Sequence, residues 1–260
     1  MKIKAPLSLF FLSHILLLCS ITSCTQTPPA APPTYRIGYM ICNSTDETLE
    51  RFLPLTIYLS QKMGVNFEAI AIDTMNFTHT NSLLYVMYNR YNGLEILAAE
   101  KRGELEDRSK GLVVTLKKSG INSIDKLKGK IMIFGPMLAP TAFMSQVYTL
   151  QEHGFDIDAD LRSYNFPTGS FKHEQLIYAV NFGGYDAGAF PYLDFELMVN
   201  QGKINKDNFN ILAEGPLIPY CNFAVTQRVD KKLAQNFKQA LLAITENDTV
   251  EINGERVKIL

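Results

Sequence analysis

The sequence predicts an α/β protein with largely parallel sheets. From Tyr35 onward, short β-type runs alternate with amphipathic helical stretches. Helix caps and helix-ending glycines separate these segments. A composition of 47% hydrophobic and 20% charged residues supplies the core that such layers need.

The elements follow in order. Residues 35–41 (YRIGYMI) read as a buried-type strand, and Asn43, Ser44 or Asp46 can cap the helix after it. Leu49, Phe52, Leu55, Tyr58 and Leu59 form the apolar face of that helix. Pro54 lies within it and predicts a kink or a restart, because proline lacks the amide and clashes one turn back. Residues 67–72 form a second strand, 82–91 a helix and 94–99 a third strand. GLVVTL at 111–116 is another β-run, and 123–129 a short capped helix ended by Gly129. Strand 130–134 then precedes a helix over 141–153 that stops at Gly154. Strand 162–166, helix 171–181, strand 186–190 and a helix through Val199 continue the alternation. Residues 209–213 and 222–226 are strands, and 230–245 an amphipathic helix with Leu233, Phe237, Leu241 and Leu242 inward.

The first 24 residues, MKIKAPLSLFFLSHILLLCSITSC, carry an export signal. Lys2 and Lys4 give a positive start, and the apolar run at 7–18 is too short and interrupted to span a bilayer. Ile21-Thr22-Ser23-Cys24 resembles a bacterial lipobox, which makes Cys24 the acylated first residue of the mature chain. The alternative is an ordinary secretory signal followed by a chance cysteine. Residues 25–34, TQTPPAAPPT, form a proline-rich tether extended at about 3.1 Å per residue. These features place the protein outside the cytoplasm, anchored to a bacterial membrane by lipid.

Removal of the leader takes two of the 25 basic residues and leaves 23 against 26 acidic ones. That balance offers no footprint for nucleic acid. Besides the expected lipidated Cys24, Cys42 and Cys221 remain after export. The pair permits a disulfide, with two buried thiols as the alternative. The chain has no CxxC, HExxH, GxSxG, Walker-type or GxGxxG pattern, and His14, His79, His153 and His173 make no metal-ligand spacing. No enzyme activity and no cofactor are expected.

Five segments, in order, resemble the phosphate/phosphite/phosphonate substrate-binding proteins of ABC transporters. They are RIGYMICNSTDETLERFLPLTIYLSQKMG, TNSLLYVMYNRYNGLEILAAEK, KKSGINSIDKLKGKIMIFG, FPTGSFKHEQLIYAVNFGGYDAGAF and LAEGPLIPYCNFAV. The resemblance implies a two-lobed periplasmic-binding-protein type II fold with two hinge crossings. Lobe one is expected at 35–116 plus 220–260, and lobe two at 119–215. The hinges are expected near Lys117-Lys118 and at 216–219. It also implies a monomer that closes over a small oxyanion and passes it to an ABC permease.

Carried onto this chain, the family's cleft implies ligand contacts from Thr80, Asn81 and Tyr85 in the first lobe and His173 after TGS in the second. Phe190, Tyr192 and Asp194 follow the DAGA strand, at the end where open α/β sheets present ligand-facing side chains. Ser170 and Lys172 are weaker candidates. The family's Ser-Thr-Ser anion cradle is replaced by Ala139, Pro140 and Thr141, which removes two hydroxyls and one amide. Proline is also a good first helical residue, so the same change makes a sound helix start. A covering helix expected between Asp73 and Asn76, and the family's final segment after Thr245, are missing. A ligand sensor or an accessory lipoprotein on the same scaffold therefore stands beside the transport reading.

Overall fold

The computed structural model describes residues 32–40, 45–71, 75–167 and 173–259. Residues 1–31, which include the expected leader, the expected lipidation residue Cys24 and most of the expected tether, lie outside the described residues. So do Cys42, Asn43, Ser44, Ser170 and Lys172, and with them the question of a Cys42–Cys221 bond.

The chain begins with β1 (Thr34–Tyr39), α1 (Thr45–Met63), β2 (Asn66–Ala71) and β3 (Phe77–Thr80). α2 (Ser82–Asn92) and β4 (Glu95–Ala99) follow. After β5 (Arg108–Ser109) come β6 (Gly111–Leu116), β7 (Ile131–Ile133), α3 (Ser145–Glu152), α4 (Ile157–Asp160) and β8 (Ser163–Asn165). Next are α5 (His173–Asn181), β9 (Ala187–Pro191), α6 (Tyr192–Asn200) and β10 (Phe209–Glu214). The chain ends with β11 (Ile218–Pro219), β12 (Asn222–Val225), α7 (Lys231–Leu242), β13 (Thr249–Ile252) and β14 (Glu255–Lys258).

Two five-stranded sheets result, ordered β2-β1-β3-β12-β4 and β10-β6-β9-β7-β8. Each defines a lobe. β1 runs parallel to β2 and β3, and β7 parallel to β8 and β9. The strands next to the crossings, β12 and β6, pair antiparallel with their neighbours.

One boundary differs from expectation. GLVVTL, expected to close the first lobe, is β6 and lies between β10 and β9 in the second sheet. All six of its residues are buried, so its backbone donors and acceptors need partners on both edges. The first crossing therefore precedes it, at 100–110. Lys117 and Lys118 instead belong to a 3₁₀ turn beyond the strand. The two crossings are bonded to each other. Arg108 and Ser109 pair with Pro219 and Ile218, and Tyr220 N donates to Asp107 O at 2.8 Å.

Pro54 does not interrupt α1, which runs as one helix through it. Leu55, Thr56 and Leu59 are buried along the same face, and that packing offsets the missing amide. The first core joins Tyr39, Phe77, Phe223 and Phe237, with Phe77 and Phe237 stacked 4.0 Å apart. The second sheet is covered on both faces. Leu112, Val114 and Phe190 enter one cluster, and Val113, Met132 and Phe134 another. This explains why β6 is apolar along most of its length, with Thr115 its one polar residue, rather than alternating. Among the described residues no helix is long and apolar enough to cross a membrane.

Candidate functional site

Strand ends and helix starts meet where the lobes face each other. β3 ends at Thr80, which is fully buried with its Oγ1 lacking a hydrogen-bond partner among the described residues. Asn81 caps α2, its Oδ1 accepting from Leu84 N at 2.9 Å. Its Nδ2 donates across to Leu138 O of the second lobe at 3.1 Å. One side chain thus starts a helix and bridges the groove.

On the opposite wall, β7 runs into 135–139 and then a π-turn over Pro140–Met144 that leads into α3. Ala139 is its extended N-cap, and its carbonyl accepts from Ala142 N and Phe143 N. Pro140 has no amide. In this first turn the amide and hydroxyl of Thr141 have no hydrogen-bond partner among the described residues. Gly135 permits the tight approach, since a Cβ there would lie 2.4 Å from that of Ala142. Buried Gln146 locks the turn in place, donating to Thr141 O at 2.5 Å and Phe190 O at 3.2 Å.

Beside this wall, α5 starts at His173 and α6 at Tyr192, two residues before Asp194. His173 Nδ1 donates to Asp194 Oδ2. Arg102, from the first crossing, donates to Asp194 Oδ1 at 2.9 Å and to the Tyr220 hydroxyl at 2.8 Å. Burial pushes the Asp194 carboxyl up, but the His173 bond and the charges of His173 and Arg102 outweigh it and hold it below the usual carboxylate range. Asp194 is thus committed to two donors, His173 and Arg102. Tyr192 donates to Glu104 on the first crossing and lies under Lys110 Nζ, 4.6 Å from its ring centroid. The Glu104 bond and burial raise its phenol above the ordinary value.

Of the expected residues, the structure places Asn81 against Leu138, next to Ala139, and joins His173 directly to Asp194, while Gln146 ties Thr141 O to the strand end that precedes Tyr192. Two expected residues are turned elsewhere. The Tyr85 hydroxyl donates to Leu94 O at 3.3 Å, at the end of β4 away from the groove. Phe190 has no exposed surface and stacks on Phe195 within the second core, so only its carbonyl faces the cradle turn. Sequence reasoning missed Arg102, Glu104 and Gln146. Arg102 and Glu104 lie in the charged run EKRGELED, which reads as a solvated loop until the crossing is known.

Comparison with known proteins agrees with this architecture. Residues 37–256 match the family described as ABC transporter, phosphonate, periplasmic substrate-binding protein. PhnD1 from Prochlorococcus marinus, solved with methylphosphonate, superposes with a TM-score of 0.65 at 18% identity, covering 82% of this chain and 84% of that one. A binding-protein component of a Pseudomonas aeruginosa ABC phosphonate transporter gives 0.65 at 15%, covering 81% and 73%. These likenesses show a shared fold. The tetrathionate sensor histidine kinase of Salmonella typhimurium is 26% identical over 234 residues, 80% of this chain and 39% of the kinase. This chain thus spans well under half the length of that curated relative. With its two sheets, double crossing and family match over most of its length, the chain belongs to the periplasmic phosphonate substrate-binding protein family of ABC transporters.

Proposed function

We propose that this protein is an extracytoplasmic lipoprotein that holds a small phosphate-, phosphite- or phosphonate-like oxyanion between its lobes for delivery to an ABC permease. The convergence of helix starts on the groove carries this reading: α2 at Asn81, the turn before α3 at Thr141, α5 at His173 and α6 at Tyr192. Unpaired amides and aligned dipoles at such ends favour negative charge. Thr141 offers an amide and a hydroxyl, and His173, steadied by Asp194, offers its ring. The cradle is thinner than the family's. Each missing charge-assisted bond weakens an anion by ~1.5–3 kcal/mol, or roughly one to two powers of ten.

Calorimetric titration of residues 25–260 with phosphate, phosphite and phosphonates tests the reading; absence of heat with all of them ends it. Thr141→Val is expected to weaken binding about tenfold or more. Replacing Ala139, Pro140 and Thr141 by Ser, Thr and Ser is expected to tighten phosphonate binding. The anchor is tested separately: Cys24→Ala abolishes fatty-acid labelling.

The second reading is a ligand sensor or accessory lipoprotein with a changed solute. The likeness to a tetrathionate sensor and the altered cradle favour it. Tetrathionate belongs in the same titration, and heat with it alone selects this reading.

A further inference from the structure

A second constellation lies in the first lobe, at the root of both crossings. His79 on β3 pairs with Phe223 on β12, and Cys221 precedes Phe223 by two residues, so His79 and Cys221 share a sheet face. Glu100, just past β4, donates its backbone amide to Cys221 O at 2.9 Å. One ligand atom from each of His79, Glu100 and Cys221 lies within 4.8 Å of the other two. His79 and Cys221 are buried, and the Glu100 side chain is 25% exposed. Glu100 Oε2 holds His79 Nε2 at 2.8 Å, while the buried Nδ1 has no hydrogen-bond partner among the described residues.

We propose that His79, Glu100 and Cys221 bind a zinc-type divalent metal ion. Imidazole, thiolate and carboxylate together suit zinc, whereas magnesium and calcium require oxygen ligands. Ligand atoms around tetrahedral zinc, bonded at ~2.0–2.3 Å, stand roughly 3–4 Å apart, so a small contraction closes the site. Thiolate and carboxylate together neutralise the dication. An ion here ties the starting point of one crossing to the end of the other. The inference is independent of the groove's solute.

The test uses the untagged full chain in detergent, titrated with Co²⁺ alone and then displaced by Zn²⁺. The expected result is one cobalt per chain with a near-ultraviolet sulfur-to-metal absorption band. Cys221→Ser abolishes the band, and Glu100→Gln, at the most exposed of the three positions, weakens binding about tenfold. No band in the wild-type chain, or an unchanged band in Cys221→Ser, overturns the proposal. A disulfide-linked Cys42–Cys221 peptide from the purified protein overturns it as well.

Discussion

Asp194→Asn isolates the charge beneath the groove. Asn keeps the shape and leaves an oxygen to accept from Arg102, but removes the negative charge shared with Arg102 and His173. The Asp194 side chain is 17% exposed and that of Arg102 31%. Breaking a fully buried pair costs ~3–5 kcal/mol, and an exposed one ~0–1 kcal/mol. Partial burial places this change at about 2 kcal/mol, a fall in Tm of roughly 4–8 °C for a protein of this size. The assay is urea unfolding of both proteins from neutral pH downward. Because folding depresses the Asp194 pKa, its stabilisation is present above the unfolded value, near 3.8, and is lost as pH falls through the lower folded value. Wild type therefore loses more stability than the variant below about pH 4, and the two converge. Equal stability at neutral pH, or a gap that does not change with pH, refutes the argument.

Three further outcomes follow from the geometry. Asn81→Ala removes a cap and an interlobe bond and is expected to lower stability by about 1 kcal/mol, whereas Asn81→Ser keeps the cap; small-angle scattering then reports whether losing the Leu138 contact alone opens the lobes. Gly135→Ala forces its new methyl against Ala142, 2.4 Å away, with an expected loss of ~1–3 kcal/mol in chemical denaturation. Phe237→Ala removes a fully buried ring stacked on Phe77 and is expected to cost ~3–5 kcal/mol, read by the same melts.

The alternation of strands and helices was legible because each buried face imposes its own period on the residues. Strand partners were not. GLVVTL declares itself a buried strand, but nothing in its six residues says whether its neighbours come from 95–99 or from 187–191. The hairpin β13–β14 had a local signal that was overlooked: Asn253-Gly254, both at positive φ, between residues that pair as Ile252 with Glu255. Placement was legible where backbone position fixes it, as at Asn81 and Thr141, since a residue after a strand and before a helix must lie at the sheet's carboxyl end. It failed where side-chain direction decides. Phe190 occupies a strand end yet points into the core, and Tyr85 reaches back to Leu94. Arg102 and Glu100 take their meaning from partners 92 and 21 residues away, Asp194 and His79, which local composition cannot supply.

The ladder between β5 and β11 has a mechanical consequence. Two independent linkers would let the halves slide and swivel in several directions. Stitched edge to edge, they favour bending about one line, as the spine of a book does, which would reduce any closing of the proposed cleft to a single angular coordinate. Cutting the polypeptide within either strip would leave the other still holding the covers together, but with that directional control gone.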